Sequence, residues 1–394
     1  MHITLRALAP FFLLAATIPA QGYPAGFRDL SFPNTTGQGS ATIPSTVYYP
    51  AQSAGRDAQI LARSGGWPVV VFLHGFAALG SLYPSLGESL ARDGFVTVLH
   101  NTAQFAAVTQ VQDGIALFPA LVTANGQTGN VLKDALDMSR AGVAGHSMGG
   151  GSTVNVLANN PGYKAGLCFA PVNSANTALV RVPLGVVHGT GDTIVNWQQG
   201  LGIFQGATGA TGMRFLYQMN NDCSHTNVAG ILMASQTDRD VFARSASITA
   251  GFFARYLGGD AAGLERVIGP TARAEGRLVQ LYLDVLQPEL WSFGSTSIGQ
   301  SPRLTLAAQP GPAGIFAAAG EGNLSTVFGT LRLDPVTAFP VAIGTAGQDG
   351  LYSVTIPIPN DAGLVGAKVP FQGVGGKAQN SFGLTGLWRI LVAQ

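Results

Sequence analysis

The hydrophobic positions of this chain fall into two textures. From residue 67 to about residue 257, short runs that are apolar at nearly every position (69–73, 95–99, 141–145, 165–169, 184–188 and 213–217) alternate with segments of helical periodicity such as 81–92 and 151–159. Runs without polar alternation suit strands buried on both faces, and their alternation with helices predicts a mostly parallel central sheet flanked by helices. An earlier strand at 45–49 ends on Pro50, which puts it at the sheet edge. The stretch 261–287 reads as helical and either finishes this unit or connects it to the next. After residue 290 helical periodicity fades, glycine and proline punctuate strand candidates at 303–307, 351–358 and 387–392, and neither histidine nor cysteine occurs. That texture predicts a small all-β domain. The expected organisation is a leader at 1–20, an α/β domain over 21–288 and an all-β module over 289–394, in keeping with 394 residues where one domain takes ~100–200.

Composition narrows the partners. Lysine and arginine total 21 against 20 aspartates and glutamates, so a net charge of +1 offers no field to gather a phosphate backbone, and no nucleic acid partner is expected. Charged residues make up 10%, which excludes disorder of the charge-rich kind. With 46% hydrophobic residues a membrane protein comes to mind, yet after residue 20 no apolar run approaches the ~20 residues that cross a bilayer. The apolar residues are expected to bury in a soluble, monomeric core with no transmembrane segment in the mature chain. Residues 1–20 run from His2 and Arg6 through an apolar stretch at 7–16 to Ile18-Pro19-Ala20, the order of a secretory signal peptide. Pro10 and Pro19 suit an ordinary helix badly, so export is expected, with a mature chain beginning near Gln21.

The chemistry centres on Gly145-His146-Ser147-Met148-Gly149, a G-x-S-x-G between an apolar strand and a helical segment. In that context the serine stands on a tight strand-to-helix turn, its Oγ exposed above the sheet and close to a helix N-terminus that favours developing negative charge. Ser147 is the expected nucleophile of an α/β-hydrolase fold, and in that fold acid and base follow the nucleophile. Of His74, His100, His146, His188 and His225, only His188 and His225 come later. His188 ends a strand and leads into Gly189-Thr190-Gly191-Asp192, whereas His225 follows the next strand in Asn221-Asp222-Cys223-Ser224-His225. The order Ser147, Asp192, His225 uses each element once. Asp222 is the rival acid, though a solvated loop carboxylate is the plainer reading. His188 and His74 read as structural groups, and His100 as the polar end of its strand. Two backbone donors are needed for an oxyanion: Met148 follows the nucleophile, and Phe76 in His74-Gly75-Phe76 follows the first central strand. The Phe76 ring either walls the acyl site or packs in the core. The sequence lacks H-E-x-x-H, closely spaced Cys/His ligands and G-x-x-x-x-G-K-[ST], so neither metal nor other cofactor is expected.

Residues 45–257, a little over half of the chain, resemble the α/β-hydrolase branch that contains bacterial cutinases and poly(ethylene terephthalate) hydrolases, with dienelactone-hydrolase-like enzymes nearby. The resemblance is carried by Val47-Tyr48-Tyr49-Pro50, His74-Gly75-Phe76, Gly94-Phe95-Val96, the elbow with Gly150-Gly151, Ala158-Asn159-Asn160-Pro161, Ala170-Pro171, Asp192 and Ser224-His225. It implies an eight-stranded sheet, the same triad, an open cleft without a lid, and serine esterase activity that extends to polyesters. Two departures concern substrate. Val172 stands where the family carries a tryptophan after Ala-Pro, and His74-Gly75-Phe76 replaces Pro-Gly-aromatic, so Phe76 and Val172 are the expected substrate contacts and the aromatic clamp is reduced. Cys168 and Cys223 do not match the family's disulfide positions. A strand is expected between them, and a bridge needs Cα atoms within about 7 Å, so two separate buried thiols are the preferred reading. Two alternatives stand beside the polyester hydrolase: an esterase or lipase on small soluble esters, and a non-catalytic surface-binding protein on a hydrolase scaffold. The C-terminal stretch with Ile356-Pro357-Ile358-Pro359-Asn360-Asp361 resembles β-modules of secreted bacterial proteins, a resemblance that implies no definite activity and leaves attachment, sorting and substrate adhesion open.

Overall fold

A computed structural model describes residues 22–377 and 381–394. The expected leader at 1–20 lies outside the described residues. Ten strands form one sheet: β1 (Ala25–Pro33), β2 (Thr42–Pro50), β3 (Gly55–Arg56), β4 (Trp67–Leu73), β5 (Val96–His100), β6 (Leu136–His146), β7 (Gly166–Phe169), β8 (Leu184–Gly189), β9 (Met213–Met219) and β10 (Leu278–Val285). Their spatial order is β10-β9-β8-β7-β6-β4-β5-β2-β1-β3. The six central strands from β9 to β5 run parallel, and β2, β1 and β10 add antiparallel partners at the two sides.

The fully buried β4 displays the two-residue period of a strand covered on both faces. Val70 and Phe72 join a core with Leu86 and Leu90 of α1 (Pro84–Arg92), whereas Val69, Val71 and Leu73 join the opposite core with Leu117 of α2 (Ala107–Gly126) and Val154 of α3 (Met148–Asn159). Burying each such side chain contributes about 1.5–3 kcal/mol. α4 (Gln198–Gly206) shares the second face through Ile203, and α5 (Gln236–Tyr256) covers the first with Phe252 and Phe253. The fold is an α/β-hydrolase fold.

Three expectations are corrected. The strand at 45–49 is not an edge: β1 pairs with β2 along its whole length, so β2 lies between β1 and β5. The stretch 261–287 is not helical throughout. After short turns at Ala261–Arg266 and Pro270–Arg273, residues 278–285 extend the sheet as β10, with Arg214 of β9 and Asp284 paired at 2.8 Å across the ladder. The sheet consequently exceeds the eight strands implied by family resemblance.

The C-terminal β domain follows. β11 (Glu289–Phe293), β12 (Arg303–Ala307) and β17 (Leu351–Thr355) make one antiparallel sheet. A second is built on β13 (Gln309–Ala317), β16 (Phe339–Ala346), β18 (Lys368–Lys377), β19 (Ser381–Leu384) and β20 (Trp388–Leu391), and β14 (Glu321–Thr326) pairs with β15 (Gly329–Leu333). The candidate strand at 351–358 leaves its ladder after Thr355, where Pro357 and Pro359 lack the amide a ladder needs. Trp291, Ala307 and Leu351 belong to the same buried cluster as Phe252 of α5. Among the described residues, no helix is long and apolar enough to cross a membrane.

Candidate active site

The chain winds outward from β4 first to β5 and then, on the other side, to β6, so the loops leaving β4 and β6 diverge at the carboxyl edge of the sheet. Such a switch point is where open α/β sheets hold their ligands. Ser147 occupies the turn between β6 and α3 with φ 56° and ψ −118°, a conformation that costs a non-glycine residue about 1–3 kcal/mol. The flanking glycines make that turn sterically feasible. A methyl group on Gly145 would overlap the Gly149 carbonyl, and one on Gly149 would overlap the Leu73 carbonyl. The Ser147 carbonyl accepts from the amides of Gly150 (3.0 Å), Gly151 (3.2 Å) and Val172 (3.1 Å), and its own amide donates to Phe169 (2.9 Å). The elbow is thereby tied to α3, to the end of β7 and to the segment bearing Val172.

Asp192 lies beyond β8 with its side chain buried. Its Oδ1 accepts from the amides of Ile194 and Val195, each at 2.8 Å, while Oδ2 faces His225 Nδ1 at 2.7 Å and His188 Nε2 at 3.1 Å. Burial opposes ionisation here, but the two imidazoles and the Val195 amide outweigh it and hold the Asp192 pKa below the usual carboxylate value. The His225 loop is fixed by Asn227, which accepts from the Ser224 amide at 2.8 Å and donates to the Asp222 carbonyl and to Asp238. Asp222 points away: its side chain is half exposed and lies 3.8 Å from Arg277 Nε. Ser147 and His225 are each 8% exposed, and among the described residues no hydrogen bond joins Ser147 Oγ to His225 Nε2. Such contacts commonly tighten only around substrate.

Among the described residues, the amides of Phe76 and Met148 donate to no protein acceptor. Phe76 itself is 62% exposed and meets Phe105 edge to face at 5.4 Å, so it lines the opening rather than the core. Val172 is partly buried beside the elbow. The remaining histidines among the described residues, His74, His100, His146 and His188, are all enclosed. His74 stacks on His100 at 4.8 Å and bonds the Thr102 carbonyl at 2.6 Å, with burial and then the neighbouring His100 lowering its pKa. His100 is fully buried 3.6 Å from Asp113. Cys168 and Cys223 are free, buried thiols in opposite core clusters, and burial raises the pKa of each.

Tyr83 and Phe105 were not singled out in the sequence. Tyr83 is fully buried, and its hydroxyl accepts from the Gly75 amide and faces His146 Nδ1, both at 2.9 Å. A tyrosine inside the segment 81–92 expected to be helical, and found just ahead of α1, gives a faint hint, since a buried phenol requires a polar partner.

A family model for PET hydrolase-like proteins matches residues 16–237, which spans Phe76, Ser147, Asp192 and His225 and stops short of the C-terminal β domain. Over 152 residues the chain is 33% identical to a bis(hydroxyethyl) terephthalate hydrolase of Streptomyces coelicolor, covering 38% of this chain and 44% of that protein. It is 28% identical over 152 residues to Cutinase 2 of Thermobifida cellulosilytica (38% and 53%) and to Cutinase cut1 of Thermobifida fusca (38% and 43%). The chain spans about half the length of these relatives. Since the matched segment runs through more than half of the sequence and carries the whole elbow, the chain belongs to the PET hydrolase-like family.

Proposed function

We propose that the protein is an exported serine hydrolase of carboxylic esters, working through an acyl-enzyme and extending to neutral polyesters. One observation carries this reading: the Asp192–His225 pair at 2.7 Å beside a strained Ser147 elbow whose neighbouring Phe76 and Met148 amides are uncommitted. His225 Nε2 takes the Ser147 proton as Oγ bonds to the ester carbonyl carbon. The Phe76 and Met148 amides receive the oxyanion, and the protonated imidazole passes its proton to the departing alkoxide. Water then attacks the acyl-serine with His225 as base, the acid leaves, and Ser147 Oγ regains its proton. Asp192 keeps Nδ1 of His225 protonated and supports the imidazolium. The polyester arm draws on relatives named as cutinases and as a terephthalate ester hydrolase. Export rests on the pattern of residues 1–20.

Small soluble esters form the second reading, favoured by Val172, which offers no ring to oppose Phe76. Turnover of p-nitrophenyl butyrate, release of soluble acids from an aliphatic polyester film, and loss of both in Ser147→Ala are the expected results. Short-ester turnover without film erosion leaves the second reading, and activity retained by Ser147→Ala overturns the mechanism.

A further inference from the structure

Oxyanion stabilisation and proton transfer both depend on spacing that no single loop sets. The Phe76 amide lies on the loop after β4 and His225 on the loop after β9, and β6, β7 and β8 stand between those two strands in the sheet. We propose that Tyr83 and His146 form a positioning bridge that locks these two loops in register, and that turnover depends on it. This inference rests on the ester hydrolase reading above.

Three consecutive buried hydrogen bonds make up the bridge. The Gly75 amide meets Tyr83 Oη at 2.9 Å, Oη meets His146 Nδ1 at 2.9 Å, and His146 Nε2 meets the His225 carbonyl at 2.7 Å. Both ends have fixed polarity, because an amide N–H only donates and a carbonyl only accepts. Tyr83 Oη therefore accepts from Gly75 and gives its own proton to Nδ1, so His146 carries its proton on Nε2 and passes it toward His225. One neutral tautomer satisfies all three links. Burial, followed by the neighbouring His225, pushes the His146 pKa down to about 3, so the ring stays neutral over the range in which esters are hydrolysed enzymatically.

The surroundings leave the bridge little freedom. Tyr83 packs on Phe72 with ring centroids 4.6 Å apart, and the His146 and His225 rings lie 4.6 Å apart. A methyl group added to Gly75 would sit 3.2 Å from His146 Nδ1, 3.3 Å from Tyr83 Oη and 3.4 Å from Ser147 Cβ. The residue preceding the Phe76 donor is thus pressed against both members of the bridge and against the nucleophile. Neither Tyr83 nor His146 is assigned a contact with substrate; each acts through the loops it joins.

The test uses the full chain and p-nitrophenyl butyrate. Tyr83→Phe keeps the ring on Phe72 but breaks the first two links. It is expected to lower kcat about tenfold with KM changed less than about twofold, as for a loss felt in the transition state rather than in binding. His146→Gln retains one acceptor and one donor, whereas His146→Leu retains neither. The bridge predicts that kcat falls in the order wild type, His146→Gln, His146→Leu, at melting temperatures that match for the two variants. Wild-type kcat in a folded Tyr83→Phe, or equal kcat in the two His146 variants, overturns the bridge alone. If Tyr83→Phe does not fold, the His146 pair decides. A wild type without ester turnover, or an active Ser147→Ala, overturns the parent reading and the bridge with it.

Discussion

The α/β domain and the C-terminal β domain handle backbone strain in opposite ways. All seven described non-glycine residues with positive φ precede residue 233: Asp57, Ala77, Ala103, Asp134, Ser147, Ala170 and Leu232. Four of them follow the carboxyl ends of adjacent central strands: Ala77 after β4, Ala103 after β5, Ser147 after β6 and Ala170 after β7. In the described C-terminal domain, positive φ belongs to glycines alone, among them Gly294, Gly311, Gly350 and Gly366. Buried polar groups divide likewise. Gln372 of β18 accepts from the Arg332 amide and donates to the carbonyls of Thr330 and Thr385, so its polarity knits strands together. Around Ser147, polarity braces loops and leaves two amides free. Strain and unspent donors persist only where surrounding packing over-determines them, which is what a preorganised site demands.

The largest expected effect breaks that contrast at its centre. Ser147→Ala should reduce kcat/KM on p-nitrophenyl butyrate by on the order of 10⁵, with the fold retained. Ser147→Gly should be equally inactive yet more stable by about 1 kcal/mol or more in urea titration, because glycine adopts φ 56° freely. Equal stability of the two variants would mean that the elbow stores no strain. Asp192→Asn should follow with a loss of about 10⁴ in kcat, since an amide no longer holds the required tautomer of His225. His225 and His188 both face Asp192 Oδ2, so this change disturbs both rings.

What could be read from sequence follows from how local each signal is. The central strands β4 to β9 announce themselves because burial on both faces makes them apolar at almost every position, as in Val69-Val70-Val71-Phe72-Leu73. β1 and β10 were missed because a strand away from the sheet centre mixes polar and apolar residues. Arg28 and Asp29 interrupt β1, and the Leu278, Leu281 and Val285 spacing in β10 imitates a helix. Ser147, Asp192 and His225 were nominated by motif and by chain order. His188, four residues before Asp192, reads in sequence as a hydrogen-bonder supporting the acid loop and does bond the Asp192 carboxylate, whereas the Tyr83–His146 contact joins side chains 63 residues apart and carries no local pattern. The Phe76 and Met148 amides were nominated by their places after β4 and after the nucleophile, but that they donate to no protein acceptor among the described residues is not legible in sequence, since side chains do not reveal where an amide points.

A third prediction asks whether the two regions unfold separately. Glu265 of the α/β domain is buried and accepts from Thr271, from Trp291 Nε1 at 2.9 Å and from Arg303 at 2.7 Å. Trp291 and Arg303 belong to β11 and β12, so one carboxylate fastens the C-terminal domain to its neighbour. Glu265→Ala should destabilise the chain by about 3 kcal/mol, because it strands the buried Trp291 indole and the partly exposed Arg303 guanidinium. With a shared core around Trp291, calorimetry should record a single transition; two transitions, only one of them moved by Glu265→Ala, would divide the molecule into independent units. Burial favours the neutral form of Glu265, yet its Thr271 and Trp291 hydrogen bonds hold the pKa below the usual value. A depressed native pKa gives stability that is fully present above the unfolded value of about 4.3 and lost as pH falls through the native one. The melting-temperature gap between wild type and Glu265→Gln should therefore shrink on acidification below about pH 4.

The smallest effect sharpens the comparison most cleanly, because it touches no functional group. Ala103 has φ 57° and follows β5, whereas Gly366 has φ 87° in the C-terminal domain with open space where a Cβ would stand. Ala103→Gly releases strain that an L side chain carries in the left-handed region but adds freedom to the unfolded chain, so a net gain of about 0.5–1 kcal/mol is expected. Gly366→Ala should lose about 1 kcal/mol for conformational reasons alone, since nothing there clashes. Urea titration of the pair measures the same backbone term with opposite sign. If Ala103→Gly is destabilising instead, the positive φ beside the site is enforced by contacts of the alanine methyl, and the strain assigned to the carboxyl ends of these strands belongs to packing rather than to backbone.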